Sequence, residues 1–77
     1  MVNTFKKSTK KQFDELLELI KDIEEKVIIL RELQFEINYL KDTGNDFKLN
    51  SFKRVKEEFK YQLKIDIEHL QKEVEEI

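Results

Sequence analysis

Cysteine, proline and tryptophan are absent from this chain of 77 residues, and glycine occurs once, at Gly44. Without cysteine the chain has no disulfide, and a thiolate is excluded both as a metal ligand and as a nucleophile. The single glycine also excludes a Gly-rich phosphate-binding loop. Because proline and glycine interrupt helices more strongly than other residues do, the sequence on either side of Gly44 is open to long helix formation.

Long apolar runs are also missing. No segment approaches the ~18 consecutive apolar residues of a membrane-spanning helix, and the first residues lack the apolar core of a signal peptide. These absences predict a cytoplasmic protein without a membrane span.

Side chains that could carry chemistry are few. His69 is the only histidine, and Asp66 and Glu73 lie at helical spacing from it, a pattern that arises by chance in an acid-rich helix. Ser8 and Ser51 are better explained as helix caps than as nucleophiles. The sequence therefore predicts a protein that is not an enzyme, with no catalytic residue, no metal and no cofactor.

The residues that are abundant are charged and aliphatic. Charged residues make up 42% of the chain and apolar residues 39%, with a net charge of −2. An average globular domain has about 25% charged residues, so this composition favours long solvated helices. At this length the chain forms one domain whose own core is barely sufficient.

The second half of the chain contains a continuous apolar stripe at steps of three and four residues, typical of an amphipathic helix over residues 51–77. Asn50 or Ser51 is the expected N-cap. A strand is the alternative, because apolar and polar residues alternate from Phe59 to Ile67. The helix accounts for more of the apolar positions, which are Phe52, Val55, Phe59, Leu63, Ile67, Leu70, Val74 and Ile77.

The first half contains a second stripe, which predicts a helix over residues 9–41 that follows a basic tail at residues 1–8. Thr9 and Gln12 have the spacing of a capping box. Val27 to Leu30 are apolar at four successive positions, so they point nearly all round the helix and one partner helix cannot cover them. The stripe comprises Phe13, Leu16, Leu17, Ile20, Ile23, Val27 and Leu30.

The connection around Gly44 has two interpretations. Residues 34–40 alternate in polarity and Lys41 to Gly44 could form a turn, which would give a short β-hairpin between 34–40 and 46–50. Helix propensity favours the other interpretation, in which the first helix continues to residue 41 and a loop covers 42–50. The predicted fold is therefore all-α, an antiparallel helical hairpin in one domain, residues 9–77.

Charge is distributed in blocks of alternating sign, which supports an antiparallel arrangement. Folding at Gly44 is expected to bring Glu32 and Glu36 near Lys56 and Lys60. It is also expected to bring the basic N-terminal segment near acidic residues of the C-terminal turn. The first set is Lys6, Lys7, Lys10 and Lys11, and the second is Glu73, Glu75 and Glu76.

Two helices cannot cover all of these apolar residues, so a second copy or another protein is expected to do so. Leu19, Leu33, Leu40 and Ile65 are among those expected to be poorly covered in a lone hairpin. We predict a homodimer, as a four-helix bundle or coiled coil, that binds or regulates a larger protein partner. The predicted interface residues are Val27, Ile28, Ile29, Leu30, Leu33, Phe35, Phe47 and Leu49.

A basic cluster in the second half suggests an alternative function. Lys53, Arg54 and Lys56 could contact an anion, which would make the chain a nucleic-acid or anionic-surface binding protein. The net charge of −2 argues against nucleic acid as the main partner.

Overall fold

The computed structural model describes residues 10–77, which form two antiparallel helices. The first helix, α1, spans Lys10–Thr43, and the second, α2, spans Asp46–Glu76. Together they form a rod of 63 × 15 × 12 Å with a radius of gyration of 18.0 Å, whereas a compact domain of this length would have a radius of about 11 Å. The predicted helical hairpin is confirmed. The basic tail at residues 1–8 and the expected cap at Thr9 lie outside the described residues.

Two residues, Gly44 and Asn45, connect the helices. Gly44 has a φ of +76°, a left-handed conformation that glycine adopts without steric cost. The amides of Gly44 and Asn45 both donate to the carbonyl oxygen of Leu40, at 3.0 and 3.3 Å, and so close the end of α1. Asn45 then begins the next helix, because its side-chain oxygen accepts a hydrogen bond from the Lys48 amide at 3.2 Å.

The predicted connection was too long, and its alternative as a β-hairpin was wrong. Residues 34–40 and 46–50 are helical, so neither segment is a strand. Asn45 is the N-cap, in place of Asn50 or Ser51. Because an asparagine directly follows the glycine, one residue ends α1 and the next begins α2, which leaves no need for a longer loop.

We call the interface between α1 and α2 the seam. Its residues follow a heptad pattern in both helices. In each helix the least exposed residues recur at alternating steps of three and four, as in an antiparallel coiled coil. The seam of α1 consists of Gln12, Leu16, Leu19, Ile23, Lys26, Leu30, Leu33, Ile37 and Leu40. The seam of α2 consists of Leu49, Phe52, Lys56, Phe59, Leu63, Asp66, Leu70, Glu73 and Ile77.

The core of this hairpin is thin. Among the described residues only Leu16, Ile37 and Leu40 are classed as buried, with exposed fractions of 8%, 2% and 5%. Two of the three lie near the turn. The expectation that Leu40 is poorly covered was wrong, and Leu19 and Leu33 are half-buried because both belong to the seam.

The seam also differs from the predicted apolar stripes. In α2 the half-buried residues include Lys56 and Asp66, while Ile67 and Val74 from the predicted stripe are exposed. The reason is geometric: a heptad seam drifts around a straight helix, so a stripe drawn at a fixed angle leaves the interface after a few turns.

The charge pairs differ from the predicted ones although the antiparallel register is as expected. Lys56 donates to the side-chain oxygen of Gln34 at 2.6 Å, and Lys60 lies 3.4 Å from Glu57 of its own helix. Neither lysine pairs with Glu32 or Glu36. Lys10 pairs with Asp14 at 3.1 Å, because this end of α1 extends past the last turn of α2.

Candidate interaction surfaces

A charged cluster occupies the middle of the seam. The Lys26 ammonium group lies 2.5 Å from an Asp66 carboxylate oxygen on the facing helix and 2.7 Å from an Asp22 oxygen on its own helix. The side chains of Lys26 and Asp66 are only 17% and 18% exposed. Burial of one charge without the other would be costly, so the pair favours the register in which the two residues meet.

Hydrogen bonds within this cluster shift the pKa values of Asp22 and Lys26. The bond from Lys26 lowers the pKa of Asp22 below its ordinary value. The bonds to Asp22 and Asp66 raise the pKa of Lys26 above its ordinary value. Both shifts favour the charged forms, so at neutral pH the Lys26 ammonium group is paired with an ionised Asp22 carboxylate.

One long side of the hairpin carries a band of exposed apolar side chains, which we call the apolar side face. Each of its residues directly follows a seam position in the sequence, so all of them lie beside the seam on the same side of both helices. Their exposed fractions range from 40% to 62%. The band occupies the half of the hairpin away from the turn and consists of Phe13, Leu17, Ile20, Val27, Ile67 and Val74.

The opposite long side is acidic. Its residues in α1 directly precede seam positions in the sequence, and Lys11 is the only base among them. A narrow cleft of about 290 Å³ on this side is lined by Glu15, Leu19, His69 and Glu73. The acidic side face of α1 consists of Glu15, Glu18, Asp22, Glu25, Glu32 and Glu36.

The predicted interface residues occupy several surfaces. Leu30, Leu33 and Leu49 are half-buried in the seam between α1 and α2. Val27 belongs to the apolar side face. Ile29 is half-buried beside the seam on the acidic side.

Ile28 and Phe35 lie on the outer face of α1, away from α2, and are separated by two helical turns. Both are exposed, Phe35 to 67%. Tyr39, one turn after Phe35, is also exposed and extends this outer ridge toward the turn. Phe47, in the first turn of α2, is 83% exposed. The sequence predicted Ile28, Phe35 and Phe47 as interface residues, and the hairpin leaves all three exposed.

The three basic residues proposed for anion contact do not lie on one face of α2. Lys53 and Arg54 are exposed, but Lys56 points into the seam, where its amine is bonded to Gln34. Two of the three side chains are therefore accessible together, and the third already has a neutral partner within the hairpin.

The residues around the histidine do not form a ligand cluster within the described chain. His69 Nε2 lies 3.6 Å from Glu73, while Asp66 is turned toward Lys26. Across residues 10–77 no group of three or more histidine or carboxylate side chains is arranged to hold a metal ion.

Sequence reasoning did not identify the apolar side face as a separate surface. Leu17, Ile20 and Ile67 were assigned to the stripes that join the two helices. The signal that separates them is the seam itself: once Leu16, Leu19 and the later seam positions are aligned in heptads, these residues fall one step outside it.

No protein family model, curated protein or solved structure matches this chain. Neither of the two described helices combines the length and the apolar character needed to cross a membrane.

Proposed function

We propose that this chain is a non-catalytic protein-interaction module that self-associates as a dimer of helical hairpins, forming a four-helix bundle, and binds or regulates a larger protein partner. The observation that carries the proposal is the apolar side face, a band of six apolar side chains at least 40% exposed along one side of a hairpin with three buried residues. Its cytoplasmic location stays a prediction.

Energetics support self-association through this face. Full burial of an aliphatic or aromatic side chain contributes about 1.5–3 kcal/mol, so covering a half-exposed one contributes about 1 kcal/mol. Six such residues from each of two copies give on the order of 10 kcal/mol, comparable with the cost of associating two molecules. The dimer is therefore expected to depend on concentration.

A different surface is available for the larger partner. The outer ridge, Ile28 with Phe35 and Tyr39, faces away from both the seam and the apolar side face. A four-helix bundle formed through the side faces would leave this ridge open, with Phe47 near the turn. Apolar and aromatic side chains surrounded by charged residues are typical of protein contact sites.

Substitution within the apolar side face tests self-association. Ile20→Glu is expected to convert the dimer to a monomer, because each copy would bring a carboxylate into an apolar contact. Sedimentation equilibrium over a concentration series measures the mass, and circular dichroism measures the helix content. Ile65→Glu is the matched control, since Ile65 is similarly exposed but directly precedes the seam residue Asp66 and so lies on the side of α2 opposite the apolar side face.

The ridge is tested in the same series with Phe35→Glu. This variant is expected to remain a dimer and to lose a partner that wild type and Ile65→Glu both retain in affinity capture. A dimer that persists in Ile20→Glu would contradict the proposed self-interface. A partner that Phe35→Glu retains at full affinity would contradict the assignment of the ridge.

A further inference from the structure

Charged residues border the apolar side face on both of its long edges. Glu24 and Arg31 form the edge on α1, and Glu57 and Lys64 form the edge on α2. The register of the hairpin, fixed by the contact of Lys26 with Asp66 and of Gln34 with Lys56, sets the height of each residue along the rod. Counted from these contacts, Glu24 lies within about one helical turn of the height of Lys64, and Arg31 lies within about one turn of the height of Glu57.

We propose that the second copy docks on this face in parallel, with both turns at the same end and α1 of each copy lying against α2 of the other. This inference rests on the self-association proposed above. It adds which helices meet, in which direction, and which charged residues select that arrangement.

Charge complementarity selects the parallel arrangement. A twofold rotation about an axis along the rod places Glu24 opposite Lys64 of the second copy and Arg31 opposite Glu57 of the second copy. Each contact occurs twice by symmetry, so four pairs of opposite charge enclose the apolar band. Among the ion pairs of residues 10–77 none joins Glu24 to Lys64 or Arg31 to Glu57 within one chain.

The surface of α2 has a depression at the matching height. A shallow groove of about 400 Å³ lies along its edge, where Leu17 and Ile20 of the second copy would be placed. Leu17 is the most exposed member of the apolar side face. The groove is lined by Lys60, Leu63, Lys64, Ile67, Glu68 and Gln71.

Other arrangements of two copies are less favourable. With the turns at opposite ends, α1 would lie on α1, and Glu24 would face the apolar residues of the second copy near Leu17. Pairing through the acidic side face would place Glu32 opposite Glu58 of the second copy. Like charges that face each other across an interface oppose association.

Charge reversal in two separate variants tests the arrangement. Glu24→Lys alone creates lysine against lysine at both edges, and Lys64→Glu alone creates glutamate against glutamate. When the two variants are mixed, both edge contacts regain opposite charges. Glu25→Lys is the matched control, because Glu25 lies on the acidic side.

The dimer dissociation constant of each single variant is expected to be about tenfold higher than that of wild type at low salt. The difference is expected to be smaller at high salt. Their mixture is expected to form mainly heterodimers. Native mass spectrometry with one chain labelled with ¹⁵N counts the species, and an unbiased mixture would contain heterodimers as half of its dimers. All these positions are exposed, so circular dichroism is expected to report unchanged helix content.

The outcomes separate this inference from the proposed function. A wild-type dimer whose single variants dissociate no more readily, or whose mixture is unbiased, would overturn the parallel arrangement and leave self-association standing. A wild-type chain that is monomeric at every concentration would overturn both. Weakened single variants with biased heterodimers support both.

Discussion

At the scale of single residues, Lys26 determines the register of the two helices more specifically than any apolar side chain of the seam does. A lysine in the middle of a heptad interface would normally weaken it. Here its ammonium group lies between Asp66 of α2 and Asp22 of α1, and this matches one register of the hairpin. The sequence places all three residues in charged blocks but does not indicate which of the charges face inward.

The pKa shifts of this cluster predict how stability depends on pH. The pKa of Asp22 lies below its ordinary value of 3.8, so its contribution is complete above pH 3.8 and is lost as the pH falls through the folded-state pKa. The pKa of Lys26 lies above its ordinary value of 10.5, so its contribution is complete below pH 10.5 and is lost as the pH rises through the folded-state pKa.

Lys26→Met is therefore expected to lower the free energy of unfolding most between about pH 4 and 10, and progressively less in stronger acid, where Asp22 becomes protonated. Urea unfolding of both proteins at a series of pH values measures the difference. Lys21→Met, at an exposed position of the same helix, is the control. An equal loss of stability at every pH would show that packing of the lysine stem, and not its charge, is responsible.

At the scale of helices, the turn was partly predictable. Gly44 was identified as the break because it is the only glycine, and the helices on either side follow from apolar periodicity. The exact helix ends were not predictable, because Asn45, Asn50 and Ser51 are all good N-caps in sequence. Asn45 is used because the left-handed Gly44 ends α1 immediately before it, so that α2 starts as early as possible and the seam gains Leu49.

Substitution of the turn glycine tests this description. Gly44→Ala is expected to lower the free energy of unfolding by about 1–2 kcal/mol, although a methyl group would meet nothing within 4 Å, because the left-handed φ is strained for alanine. Gly44→Asn is expected to cost less, since asparagine tolerates this conformation. Thermal unfolding measures both. An alanine variant as stable as wild type would contradict the left-handed turn.

The seam of each helix was only partly visible in the sequence. Leu16, Leu30 and Phe59 were assigned to the inner face and belong to it. Lys56 and Asp66 were missed because a polar residue carries no apolar signal, and its place in the seam depends on a partner on the other helix. The exposed residues beside the seam were missed for the related reason that periodicity alone does not distinguish two adjacent apolar rows.

At the scale of the whole molecule, the hairpin is a thin rod with one apolar and one acidic side. Three buried residues among residues 10–77 are a small core for a domain of this size, which is the physical reason for the proposed second covering layer. The asymmetry between the two sides explains why a second copy would use one of them. The apolar side face carries opposite charges at similar heights, whereas α1 contributes only Lys11 as a base to the acidic side.

Small-angle X-ray scattering over a concentration series tests the central claim most directly, because the forward scattering gives the mass and the distance distribution gives the length. We expect a particle of two chains whose longest dimension is close to that of one hairpin, with a thicker cross-section. A mass of one chain at every concentration would contradict self-association. A two-chain particle much longer than one hairpin would contradict the parallel side-by-side arrangement.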